Sequence, residues 1–236
     1  MHKITMSRCR NEAPAKTSTK DIPAGQFSVW LKDTISVMHG EGEADVPCAE
    51  CSACCRSSYF VHIKPSDVDT IAHVPKALTF AAPGLPKGHL LLGYNEQGCC
   101  PMLIDGACSI YEFRPQTCRQ YDCRVFTASG VDVFDQDQKQ GVGSGEQTQS
   151  ITQRTARWAF ELFSERDHSE FQAVQAAARF LARHADEFPP RFLPLNSTQQ
   201  AVLAIEVYPL FLGKEQQSIA QTVNAIVAVH QRPSAK

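Results

Sequence analysis

The chain has 236 residues and a mass of 26.1 kDa, enough for one large domain or two modest ones with a sizeable core. Its 23 basic and 25 acidic side chains leave a formal charge of −2, so nothing in the balance argues for a nucleic-acid or anionic-membrane partner. No apolar run approaches the roughly 18 residues of a membrane span, and the first ten residues lack the apolar stretch of a secretory signal. The expectation is a cytoplasmic protein.

Residues 1–24 read as a flexible tail. Lys3, Arg8, Arg10, Lys16 and Lys20 make it basic, but no amphipathic stripe accompanies the charge as it would in an organellar transit segment. Phe27, Trp30, Leu31, Ile35 and Met38 then fall at i, i+3, i+4, i+8 and i+11, the spacing of an amphipathic helix. Residues 40–45 break it. Residues 58–63 mix aromatic and β-branched side chains and predict a short strand. Pro65-Ser66-Asp67 opens a short helix with Ser66 as its cap. His89 to Gly93 is a second strand candidate, and the stretch from Cys99 to Cys123 reads as irregular, turning at Asp105-Gly106.

Residues 131–150 read as a linker or mobile loop; Gly141 to Gly145 has no strand-and-helix context and belongs to it rather than to a nucleotide site. From 151 to 236 helical patterns dominate. Ile151, Thr155, Trp158, Ala159 and Leu162 share one face, and Phe171, Val174, Ala178 and Leu181 another. Residues 197–200 fit a capping box before an apolar run that Pro209 kinks or ends, and Ile219, Val223 and Ile226 mark a last helix. The fold class expected is α+β, mainly α: an irregular cysteine-rich metal-binding core over residues 25–130 with a few short strands, packed with amphipathic helices that include 151–236.

The cysteines carry the chemistry. Nine of the ten lie in the 76 residues from Cys48 to Cys123, about 12 % of that window, a density that composition alone links to a cross-linked or metal-held fold. In a reducing compartment structural disulfides do not persist, so the density points to metal ligation or redox chemistry. Cys48-x-x-Cys51-x-x-Cys54-Cys55 gathers four thiols in eight residues, which suits chelation by a tight loop, whereas adjacent cysteines suit disulfides badly. The CxxCxxC run is also the spacing of bacterial ferredoxin loops. The fourth cysteine of such a loop is missing, however, and the Cys-Pro pair occurs far downstream as Cys100-Pro101, so a simple ferredoxin loop is not expected. Sulfur tetrahedra serve zinc and iron alike, and three evenly spaced thiols in one loop lean toward an iron–sulfur cluster. His39 and His62 flank the first cluster, but the thiols suffice without them; His73, His89, His168, His184 and His230 show no partner pattern.

The composite of Cys48-x-x-Cys51-x-x-Cys54-Cys55, Gly98-Cys-Cys100-Pro and Cys108-Ser-Ile-Tyr111-Glu-Phe-Arg114-Pro115-Gln-Thr-Cys118-Arg119-Gln-Tyr121-Asp-Cys123 resembles the CxxCxxCC (YkgJ-like) cysteine-cluster family over residues 47–124. The resemblance implies zinc or iron chelation, an iron–sulfur cluster included, through eight cysteines: Cys48, Cys51, Cys54, Cys55, Cys100, Cys108, Cys118 and Cys123. Cys99 is an extra thiol beside Cys100. Eight thiols allow two four-thiolate sites, a cluster plus a zinc, or one site with spare ligands. Arg114 and Arg119 are expected to donate hydrogen bonds to the sulfurs from outside the ligand set; the alternative is that Arg114-Pro115 only shapes a turn. Tyr111 and Tyr121 read as core packing.

One branch of the family resembles flagellin lysine N-methylases, which leaves a metal- or iron–sulfur-dependent transferase as an alternative, by analogy only. No GxSxG, HExxH or P-loop occurs, and no catalytic residue is identified. A third reading is a thiol–disulfide switch using the vicinal pairs Cys54-Cys55 and Cys99-Cys100. The partner expected is a metal ion; no protein partner is indicated.

Overall fold

The computed structural model describes residues 21–44, 46, 52–56, 59–132, 157–194, 196–213 and 218–231. Within them the chain is largely helical with short strands, the class that composition and periodicity predict.

Strand β1 (Ile22–Gln26) runs directly into helix α1 (Phe27–Met38). The stripe read from the sequence is the buried one: Phe27, Trp30 and Leu31 are almost wholly enclosed, with Thr34 beside them. The cysteine-rich part follows. Strands β2 (Val61–Ile63), β3 (Thr79–Ala81) and β4 (Leu90–Leu92) form an antiparallel sheet in the order β2-β4-β3, with Val61 opposite Leu92 and Ala81 opposite Leu90. Helix α2 (Val68–His73) lies between β2 and β3 in the chain. One sheet face supplies Ile63 and Leu92 to a small core with Val74, Met102 and Ile110. On the other, Phe60, Phe80 and Tyr94 are exposed and touch one another, with ring centroids 5.0 to 5.6 Å apart.

A two-residue hairpin, β5 (Leu103–Ile104) and β6 (Ala107–Cys108), turns at Asp105-Gly106 with φ of 50° and 80°. Positive φ at both central residues is the type I′ turn, whose twist suits a tight hairpin, and Asp-Gly is among the pairs that tolerate it. Helices α3 (Gln116–Gln120) and α4 (Arg124–Ser129) close this part; α4 is buried along most of its length.

The remainder comprises strand β7 (Trp158–Glu161) and helices α5 (Glu165–Arg183), α6 (Ser197–Val207) and α7 (Ile219–His230). The faces of α5, α6 and α7 meet around Ala177, Leu181, Leu203, Val207, Val223 and Ile226. A second apolar cluster joins α1, α4, β7, α5 and α6 through Phe27, Trp30, Val125, Trp158, Val174 and Ile205.

Four expectations are corrected. β1 begins at Ile22, inside the stretch read as a tail, because it finds a parallel partner in β7. The helical face assigned to Trp158, Ala159 and Leu162 is instead β7 and the residues after it: Trp158 and Phe160 stand two apart, which is also strand spacing, and pairing with β1 decided between the two. Ile151 and Thr155 lie outside the described residues, as does most of the 131–150 linker. The cap of α6 is Asn196, one residue before the expected Ser197, and its Oδ1 accepts from Gln199 N at 2.8 Å. Asp67, not Ser66, occupies the N-cap position of α2. Pro209 acts as expected: α6 ends at Val207 and residues 208–211 continue as a 3₁₀ turn.

One carboxylate joins the two ends of this architecture. Asp167, fully buried in the first turn of α5, completes a capping box with Ser164 and also accepts from Ser28 N at 2.9 Å in the first turn of α1. Gln26 Nε2 and Phe163 N donate to it as well. Hydrogen bonds from Ser28 and Ser164 hold its carboxyl far below the ordinary carboxylate range. A depressed folded pKa contributes stability that is fully present above the unfolded value, about 3.9, and is lost as pH falls toward the folded one. Asp167→Asn is therefore expected to lower Tm at pH 7, with the gap to wild type closing as pH drops below about 4. A gap that stays constant in thermal melts across that range would remove the charge from the explanation.

Candidate metal centre

The thiols reach their places on four separate segments. Cys54 and Cys55 lie in a 3₁₀ turn (Cys54–Arg56) closed by Arg56 N to Ala53 O, with Arg56 Nε on Ser52 Oγ. Cys48 and Cys51 fall outside the described residues. Asn95 builds the turn that presents the vicinal pair: its Oδ1 accepts from Gln97 N and Cys99 N, and its N donates to Cys99 O. The next residue, Cys100, donates its N–H to Cys55 O at 2.7 Å, tying the two cysteine segments together. Cys108 stands opposite Leu103 on the hairpin, and Cys118 sits within α3.

These four sulfurs share one electrostatic environment. The Cys118 thiol is pushed up to about 12, first by burial and then by Cys55, Cys100 and Cys108, while Arg114 opposes the rise. Burial likewise pushes up the Cys100 thiol, with Cys108 adding to it. Cys100 is thus one of the thiols that act on Cys118. Cys99 is buried and disulfide-bonded, a feature the reducing-compartment argument gave no place to.

Cys123 lies elsewhere. It occupies the N-cap position of α4, packs in the apolar cluster around Phe27 and Trp30, and accepts from Trp158 Nε1 at 3.3 Å. The Tyr121 phenol is raised well above its ordinary value by burial, then by Cys54, Cys123 and Tyr59, against a hydrogen bond with Thr198. Tyr121 thus marks a second neighbourhood of thiols, Cys54 and Cys123. It packs against the core as expected. Tyr111 does not, being 58 % exposed beneath Arg114, whose Cζ stands 3.6 Å from the ring centroid.

Neighbourhood is not coordination: among the described residues no group of three or more His, Cys, Asp or Glu side chains is arranged to hold a metal ion. The donor chemistry nonetheless suits one. Cys55, Cys100, Cys108 and Cys118 are near enough to repel one another once ionised, a cost that a bound cation reverses. Beside them the buried Nε of Arg114 has no hydrogen-bond partner among the described residues, leaving a donor for an anionic sulfur centre.

Arg119 has its Nε 3.4 Å from Glu43 and its Nη2 3.9 Å from Asp67. His62 hydrogen-bonds His89 ring to ring at 2.8 Å, and burial, His89 and Lys64 lower its pKa; His39 is exposed at the end of α1. Sequence reasoning passed over two buried carboxylates. Asp122 forms a salt bridge with Arg124 at 2.7 Å and accepts from Trp30 Nε1 at 2.8 Å, while Arg124 Nη1 donates to Ala24 O. Asp67 ties β2 to α3. A lone Asp in a loop carries no sequence signal of a partner dozens of residues away.

Residues 47–153 match the CxxCxxCC family, described as "Putative zinc- or iron-chelating domain". The match begins where the cysteine pattern begins and extends past its last cysteine. No curated protein and no solved structure matches the chain.

Proposed function

We propose, from the CxxCxxCC domain that this chain carries at residues 47–153, that its cysteines form two zinc or iron centres. One is built by Cys55, Cys100, Cys108 and Cys118. The other takes Cys54 and Cys123, with Cys48 and Cys51 completing the eight of the family pattern. The observation that carries the reading is that Cys55, Cys100 and Cys108, from three other segments, all raise the Cys118 thiol. A bound ion supplies the cross-link between those segments, and with it folding energy for a region of short strands and turns. The chain's own residues prepare for the charge. Four thiolates on a dication leave −2, and Arg114 stands where its guanidinium offsets part of it. Thiolate ligation at this density calls for a reducing compartment, and we place the protein in the cytoplasm. No helix among the described residues is long and apolar enough to cross a membrane.

Because each ligand binds as thiolate, zinc binding at pH 7 is expected to expel protons. Its calorimetric enthalpy should change with the ionisation enthalpy of the buffer, and its affinity should fall as pH is lowered. An enthalpy independent of buffer would rule out thiol ligation. The identity of the metal is tested by elemental analysis, acid-labile sulfide and visible absorption on protein purified without air or chelator. Iron with sulfide means a cluster; stoichiometric zinc in a colourless sample means a structural centre; neither metal favours the thiol switch.

The transferase alternative rests on one observation. A cleft of about 530 Å3 opens beside the second thiol group, walled by Trp30, Val37, Tyr121, Asp122, Thr198 and Val202. A transferase needs such a cleft together with an open coordination position. Stabilisation of the loaded protein by S-adenosylmethionine in a thermal-shift assay would put that reading first.

A further inference from the structure

We infer that Asp67 is a positioning residue for the metal centre: it clasps the helix bearing Cys118 to strand β2, and metal affinity depends on it through that cysteine. The inference rests on the reading that Cys118 is a ligand.

Asp67 stands at the N-cap of α2, where an aspartate ordinarily bonds the first turn of its own helix. It makes no such bond. Its carboxylate is spent on other segments: Oδ2 accepts from Lys64 N at 2.8 Å, just past β2, and Oδ1 accepts from Gln116 N at 3.0 Å, the first residue of α3. The side chain is 3 % exposed, so neither bond competes with water. Two more bonds run in parallel, from Thr117 Oγ1 to His62 O and from Lys64 Nζ to Gln116 Oε1, both 2.8 Å. Cys118 is the next residue.

A helix of five residues has no stability of its own, so the direction of the Cys118 side chain is set by what grips α3. The grip ends on the sheet whose inner core is flanked by Cys100 and Cys108. Asp67 thereby fixes one ligand relative to two others. Both of its oxygens accept an N–H. An asparagine of the same shape offers one acceptor oxygen and sets an NH2 donor against the other N–H, whichever way it is flipped. Asp67→Asn therefore loosens the clasp without emptying space.

The test uses the full-length chain, reduced and handled without air, titrated with Co2+ alone as the probe. Wild type, Asp67→Asn, Cys118→Ser and the double variant are compared by chelator competition and by thiolate-to-cobalt charge-transfer intensity. Asp67→Asn is expected to weaken binding roughly 10- to 100-fold, the usual effect of removing a partner that orients a ligand, and to lose intensity. In the Cys118→Ser background the same change should alter affinity by less than about 2-fold, since the two changes act through one contact. Wild-type affinity in Asp67→Asn, or an equal factor in both backgrounds, overturns the inference. Should Asp67→Asn fail to fold, Thr117→Val releases the parallel bond in the same clasp. A smaller loss that vanishes with Cys118→Ser supports the inference, and an additive loss or none overturns it. A wild type with no thiolate charge transfer refutes the chelation reading itself, and this inference with it.

Discussion

Cys118→Ser is expected to release metal from the Cys55, Cys100, Cys108 and Cys118 group and to lower thermal stability more than any single surface change. Cys118 is the thiol on which the other three act, and its helix has no independent stability. Structural zinc sites contribute on the order of 10–16 kcal/mol that appears as folding energy. Losing a third of that moves Tm by roughly 10 °C, at about 2–4 °C per kcal/mol for a chain of this size. Cys99→Ser is the informative comparison: Cys99 is disulfide-bonded and lies outside the eight proposed ligands, so metal content should persist. Equal metal loss in the two variants would return the ligand assignment to the vicinal pair as a whole.

The second large effect is expected from Asp122→Ala. Asp122 is 7 % and Arg124 9 % exposed, and the carboxylate binds the guanidinium, the Arg124 N–H and the Trp30 indole. Removing it leaves a cation without its counter-charge inside the protein, a change that typically costs about 3–5 kcal/mol. Replacing Asp122 and Arg124 together with apolar residues of similar volume should restore much of the loss, because the pair itself gains little over a packed apolar core. A single variant that melts within a degree or two of wild type, followed by circular dichroism, would show that water reaches this pair.

Much of the local structure was legible because its causes are local. The stripe of α1 predicts which side chains are buried, and the Asp105-Gly106 pair predicts a turn because few residues accept positive φ; the hairpin that it closes lies in a stretch read as irregular. Val174 and Leu181 on α5 are buried as their spacing requires. β7 was missed for an equally physical reason. A four-residue strand has no internal hydrogen bonds and exists only because β1, more than a hundred residues earlier, offers its edge. Strand β3, in a stretch rich in proline and glycine that reads as a loop, likewise depends on β4.

At the site, spacing alone determined that thiols concentrate between Cys48 and Cys123, within the stretch that matches the chelating-domain family; a chelating loop requires close ligands, and close ligands are visible in a sequence. The tertiary structure alone decided which thiols are neighbours. It set Cys100 in one electrostatic neighbourhood with Cys55, Cys108 and Cys118, and it sent Cys123 to the core with Trp158. It also aimed Asp67, Asp122 and Asp167 at partners 49, 92 and 139 residues away. The cost of closing a loop grows only slowly with its length, so contacts at such separations are chosen by complementary packing and hydrogen bonding in the folded chain, and linear spacing carries no record of them.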